Sequence, residues 1–343
     1  MKVGILTFHW ATNYGAVLQT YALQEYLISV GHKVEIIHYK PKHFDFYRKM
    51  LLQPWNLFKF KKNITEYKKE KLLQSFRLQY LNTTEERYVS SSELLKANLD
   101  YDIVVSGSDQ ILNPSYTLYG ENKQPTPTYY LTFAQNSKRV GYAVSFGCVS
   151  YPEDAKKWAN KWINSFDVVG VREDSGLDIL KELGYQGSAM VVPDPTVLFG
   201  KELLSRIGYV GKTKKDHYCT YILRRSMVVD LPNVIHVDDT NNPLSLEEWV
   251  NTIATSKGLI TNSYHGMIVA ILSRVPFVVL LEKLAHGMND RFSTLLQRLN
   301  LMERICVDES EVGSKILLPV DWDQVEKLMS EFQDEGRRFW LSK

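Results

Sequence analysis

Residues 3–38, VGILTFHWATNYGAVLQTYALQEYLISVGHKVEIIH, decide the fold. Val3–Phe8 is a short apolar run of strand length. From Ala16 to Val30, Leu18, Ala22, Leu23 and Leu27 fall on one helical face. Gly31 stops that helix, and Lys33–His38 reads as a second strand. The unit is β-α-β, with the polar cluster His9–Trp10–Ala11–Thr12–Asn13–Tyr14–Gly15 between its first strand and its helix.

The same pattern recurs outward from there. The runs DIVVS, RVGYAV, DVVGV, AMVV, CTYIL and GLI end respectively in Gly107–Gln110, Ser145–Gly147, Arg172–Ser175, Pro193–Thr196, Arg224–Ser226 and Thr261–Gly266. Short apolar runs between helical patterns read as buried parallel strands. In open α/β sheets, ligands bind outside the carboxyl ends of the strands. The chain therefore brings many polar clusters to one rim, the layout of an enzyme more than of a scaffold.

A length of 343 residues exceeds one ordinary core and implies two domains. A hydrophobic content of 44% leaves ample material for both. The net charge of +2 singles out no partner. Cys148, Cys219 and Cys306 are odd in number and widely spaced, which argues against a disulfide framework and fits a reducing compartment. The first residues lead straight into a strand, with no signal-peptide pattern. The most apolar stretch, Ile268–Leu281, is short and interrupted by Arg274 and Pro276. We expect a cytoplasmic protein, with the inner face of the membrane as a candidate place of work.

We expect a first Rossmann-like domain over 1–195, a second over 196–320, and a helix over 321–343 that is a candidate to cross back to the first. The stretch from Asp194–Pro195 to Lys215 reads as a linker. An insertion over about 40–80 breaks the alternation. Its 40–77 portion carries eleven Lys and Arg against three acids, interleaved with Phe44, Phe46, Tyr47, Trp55, Phe58, Phe60 and Tyr67. That composition suits a solvated insertion or a peripheral membrane contact at least as well as nucleic acid, because the rest of the chain is nearly balanced.

Each cluster has a functional and a plainer reading. His9–Gly15 lets backbone approach a ligand at a helix amino end, or is a tight turn capped by Asn13 or Thr12. It is not a GxGxxG loop. Asp109 positions a sugar hydroxyl or acts as a base, or caps a helix with Ser108. Arg172 offers a planar fork for phosphate or carboxylate, or pairs with Glu173, Asp174 or a neighbouring acid. Asn262–Ser263–Tyr264–His265–Gly266 is the sharpest signal, with Ser263 as N-cap. His265 then lies at a strand-to-helix turn, where an imidazole can bind an anion or move a proton near neutral pH. No metal-ligand spacing, Walker loop or GxSxG elbow is present.

With these blocks in view, the chain resembles the polysaccharide pyruvyl transferase family. The resemblance runs from about Val3 to Leu281. It rests on NYGAVLQTYAL, VVSGSDQILNP, RVGYAVSFG, VREDSGLDIL, VVPDPTVLF and TNSYHGMIVAILSRVPFVVL in that order. It implies a fold similar to the GT-B glycosyltransferases, with two Rossmann-like domains facing a cleft. It also implies transfer of the pyruvyl group of phosphoenolpyruvate, as a ketal, onto a sugar of a surface polysaccharide or its lipid-linked precursor, with no cofactor. The family's donor-site His carries over to His265. Many members have Arg two positions earlier, where this chain has Ser263, so Arg172 and Arg224 are expected to supply the missing charge. Donor-side candidates are Arg172, Arg224, Ser263, Tyr264, His265 and Gly266. Acceptor-side candidates are His9, Asn13, Tyr14, Asp109 and Ser145. His265 and Asp109 are the catalytic candidates, and His265, Asp109 and Glu173 all remain open as the enol-protonating acid.

Two competing readings have their own signatures. A nucleotide-sugar glycosyltransferase of similar fold needs acidic donor contacts late in the second domain. Glu282 is available there, without an evident second acid. A non-catalytic glycan-binding protein would be consistent with Ser263, though not with His265, Arg172 and Asp109 together. Nucleic-acid binding ranks last.

Overall fold

The computed structural model describes residues 1–45, 57–118, 120–121, 124–209, 211, 213–223, 231–238, 242–281 and 288–341. Six strands, β1 (Lys2–Leu6), β2 (Lys33–Ile36), β3 (Ile103–Ser106), β4 (Lys138–Val144), β5 (Val168–Val171) and β6 (Ser188–Val191), form one sheet in the order β2-β1-β3-β4-β5-β6. Every pairing in it is parallel. A second parallel sheet, in the order β11-β10-β9-β7-β8, is built from β7 (Tyr218–Tyr221), β8 (Val234–His236), β9 (Gly258–Thr261), β10 (Phe277–Leu280) and β11 (Ile305–Cys306). The central strands β3, β5, β9 and β10 are buried throughout, as helices on both faces of a parallel sheet require. Strand order reverses between β1 and β3 and again between β7 and β9. Those are the two places where such a sheet opens a crevice at its carboxyl edge.

The helix Tyr14–Ser29 departs from its expected one-sided pattern. Every residue from Tyr14 to Leu27 is buried, including Gln19, Thr20, Gln24 and Glu25. The helix is enclosed by β2, by the long helix Leu57–Tyr80 and by the second domain's helices Leu246–Ala254 and Tyr264–Leu272. Its polar side chains are hydrogen-bonded inside: Gln19 donates to Thr7 Oγ1, and Gln24 donates to the Tyr80 carbonyl. Tyr14 ties the domains together. Its hydroxyl donates to the Leu244 carbonyl at 2.6 Å, and its ring stacks 5.1 Å from Trp249.

The helix Leu57–Tyr80 braces the loop after β1. Thr12 donates to Glu70, Arg77 pairs with Glu70, and the Lys69 ammonium sits 4.1 Å above the Tyr14 ring. The aromatic residues Phe46, Tyr47 and Trp55 of this insertion lie outside the described residues. The stretch after Asp194 is not a loose linker. Pro195–Phe199 is a fully buried short helix, and Lys201–Arg206 follows at once. The helix Trp322–Leu341 packs on it and reaches the first sheet. Gln333 donates to the Val197 carbonyl, and Phe339 and Trp340 lie against Tyr142. No described helix is long and apolar enough to cross a membrane.

Candidate active site

The cleft lies where the two switch points face one another. Its first-domain wall includes Phe8, Asn13, Asp109 and Tyr116, and its second-domain wall includes Ser263, Tyr264, His265 and Arg291.

Loop chemistry sets each wall. Asn13 Oδ1 accepts the Ala16 N–H and caps the first helix. Gly107, with φ of 134°, has no room for a side chain, since a Cβ there would lie 2.1 Å from the Tyr142 carbonyl oxygen. Ser108 is then held from both sides. Its N–H donates to Gln19 Oε1, and its hydroxyl reaches Ala143 O and Asp194 Oδ2. Asp109 follows at φ 73°, with its carbonyl accepting the Ser145 N–H. Across the cleft, Ser263 Oγ accepts the Gly266 N–H. The Asn262 side chain both donates to and accepts from the Leu223 backbone, fastening the β9 loop to the β7 loop.

A buried ionic network lies beneath the cleft. Arg172 Nη1 is 3.2 Å from Asp109 Oδ1 and 3.3 Å from Asp194 Oδ2, and its Nε is 3.6 Å from Glu173. The Arg172 side chain is 0% exposed, and its guanidinium lies 4.8 Å from the Tyr264 ring centroid. Burial works against the charge of Asp109, but Arg172, His265 and Arg291 outweigh it and hold the carboxyl below its ordinary range. Burial likewise opposes ionisation of Asp194. His265, Arg172 and the Thr196 hydrogen bonds overcome that and hold it well below the usual carboxylate range. Glu173 behaves differently, because burial pushes it up and Arg172 only partly offsets this. His265 Nε2 lies 3.6 Å from Asp194 Oδ2, which places the buried carboxylate directly beside the imidazole.

Asn13, Asp109, Ser263, Tyr264 and His265 thus line one cleft, with Arg172 directly behind it. Five expectations meet a different arrangement. Arg172 does not present an open fork to the cleft, because three carboxylates surround it and Tyr264 covers it. His9 turns away, with Nδ1 3.2 Å from the Thr7 carbonyl oxygen and its ring against His38. Tyr14 is spent on the domain boundary through Leu244. Ser145 is buried behind Asp109 and holds its backbone. Gly266 gives its N–H to the cap and packs against Tyr221, where a Cβ would lie 3.1 Å away. Arg224 and Glu282 lie outside the described residues.

Two site residues escaped the sequence reading. Asp194 reads locally as a turn residue before proline, although its place at the end of an apolar run was a usable signal. Arg291 follows no strand, and nothing in its local sequence marks it. Among the described residues, no group of three His, Cys, Asp or Glu side chains is spaced to hold a metal ion.

Two parallel-sheet α/β domains closing on a shared cleft define a GT-B-like fold. The sequence matches the family model for polysaccharide pyruvyl transferase over residues 13–282, and the chain belongs to that family. No curated protein matches it in sequence. The co-structure of MnaA with UDP from S. aureus superposes with a TM-score of 0.51 at 10% identity, covering 99% of this chain and 96% of that one. At that identity the likeness concerns the fold. The spinosyn forosaminyltransferase SpnP gives a TM-score of 0.45 at 11% identity over 98% and 95% of the two chains. An uncharacterised Klebsiella pneumoniae protein gives 0.42 at 14% identity over 85% and 96%.

Proposed function

We propose that this protein transfers the pyruvyl group of phosphoenolpyruvate onto a sugar as a ketal. The acceptor would belong to a surface polysaccharide or its lipid-linked precursor, and the reaction would run in the cytoplasm at the membrane's inner face. Family membership supports the reaction class. The observation that carries the assignment of roles is the opposition of Asp109, paired with Arg172, and His265, backed by Asp194, across one cleft.

In this reading, His265 delivers a proton to the methylene carbon of the enol, making a methyl group and an oxocarbenium-like centre. Asp194, 3.6 Å from Nε2, holds the ring in place. A sugar hydroxyl adds to that centre and passes its proton to Asp109. A carboxylate held ionised suffices there, because the developing oxonium is strongly acidic. Inorganic phosphate then leaves, and a second hydroxyl closes the ketal, passing its proton to His265 and so restoring the acid. Glu173 is only 2% exposed and sits behind Arg172, which disfavours it as the acid. Arg172 positions Asp109 and Asp194. Holding donor and acceptor on opposite walls supplies much of the rate.

The test is to incubate the protein with phosphoenolpyruvate and a panel of hexosides presenting different diol pairs, following phosphate release and the ketal methyl signal by NMR. Coupled appearance of both supports the reading. Thermal stabilisation by nucleotide sugars, with no response to phosphoenolpyruvate, would move the assignment to glycosyl transfer.

A further inference from the structure

Two arginines flank the Tyr264 ring, and their surroundings differ. Arg172 is surrounded by Asp109, Asp194 and Glu173. Arg291, from the first turn of the helix Asp290–Arg298, lies 5.9 Å from the Tyr264 centroid and 5.2 Å from that of Phe292. Its Nε is buried without a hydrogen-bond partner. Among the described residues, no carboxylate lies within ion-pair distance of it. It lines the cleft beside Ser263 and His265.

Arg291 is half-buried, and Asp109 and Glu173 attract its charge without a direct ion pair, so its guanidinium is left to be satisfied by an oxyanion that accepts from its fork. Burial, helped by the Arg172 charge, lowers Arg291 to about 10, so it still carries its proton at neutral pH. The Asp109 carboxylate is already engaged by Arg172, which leaves the second-domain wall as the place for negative charge. We propose that Arg291 is the principal grip on the donor's oxyanion, a phosphate monoester or a carboxylate, and that the cleft is completed by the donor. That the donor is phosphoenolpyruvate rests on the reading above.

The test is calorimetric titration of wild type, Arg291→Ala and Arg291→Lys with phosphoenolpyruvate, inorganic phosphate and pyruvate, beside thermal melts without ligand. Arg291→Ala is expected to weaken phosphoenolpyruvate binding on the order of ten- to hundred-fold. Arg291→Lys should fall between, since it keeps charge and loses the fork. Whichever of phosphate or pyruvate loses affinity in parallel identifies the gripped end. The unliganded Arg291→Ala protein should melt close to wild type, because Arg291 makes no direct ion pair and Asp109 and Glu173 keep Arg172 as their near partner. Phosphoenolpyruvate binding within about two-fold of wild type would overturn the grip and leave the pyruvyl reading standing. Wild type binding phosphate but not phosphoenolpyruvate, with loss in Arg291→Ala, would keep the grip and overturn that reading. No binding of any of the three anions, or an Arg291→Ala melt several degrees lower, would overturn the grip itself.

Discussion

Gly15 of the first domain and His265 of the second are packed so closely that a Cβ on Gly15 would lie 2.2 Å from His265 Nδ1. The glycine is helical, so its conformation does not require it; the imidazole does. Gly15→Ala should displace His265 while sparing the helix, which gains a better helix former. We expect turnover to fall about a hundred-fold, the order associated with a displacement near 1 Å, with circular dichroism unchanged. Activity within a few-fold of wild type would show that the ring's present seat is immaterial.

The His265 and Asp194 pair should separate chemistry from stability. His265→Gln is expected to cut turnover by about 10²–10⁴ with a small change in melting temperature. Asp194→Asn should also slow turnover, and it should destabilise by about 3 kcal/mol, because Arg172 loses a buried counter-charge. If the two losses in rate multiply fully in the double variant, the pair does not act as a unit.

Arg172→Ala leaves Asp109, Asp194 and Glu173 facing one another in a desolvated space. The expected cost is about 3–5 kcal/mol, read from the urea midpoint at constant slope. Wild-type stability in this variant would mean that the network is not what holds the loops together.

Stability should also fall in mild acid through His9. Burial, with His38 and nearby cations, lowers its folded pKa to about 3, against 6.5 for the ordinary side chain. Between those values the unfolded chain binds the proton and the folded one does not, so stability drops as pH falls below 6.5. The contribution reaches about 2 kcal/mol by pH 5. His9→Phe should flatten that part of a melting-temperature profile, and an unaltered slope would place the acid sensitivity elsewhere.

What the sequence discloses follows from the range of the interactions involved. Strands β1, β3, β5 and β9 are legible because a buried parallel strand must be apolar along its length. The clusters at their ends are legible because the same few residues must both turn the chain and meet the ligand. Asp109, Ser263 and His265 are singled out that way, and all three line the cleft. Asp194 is misread because a capping aspartate before proline looks alike whether it is exposed or stands 3.3 Å from a buried arginine. Arg291 is missed because its position depends on a helix folding back over Tyr264, which no local pattern encodes. The one-sided reading of the first helix fails for a related reason: an amphipathic pattern describes one neighbour, and this helix has several.

The helix Trp322–Leu341 bears on how the protein is made. Phe339 lies 3.3 Å from the Cβ position of Gly170, and Trp340 covers Tyr142, so part of the first sheet is roofed by a helix made only after the whole second domain. A nascent chain can pair β1 to β6 early, yet that apolar face stays open while the whole second domain is synthesised. During that interval the exposed patch is a natural target for chaperones, and the helix Trp322–Leu341 serves as the latch that ends their access.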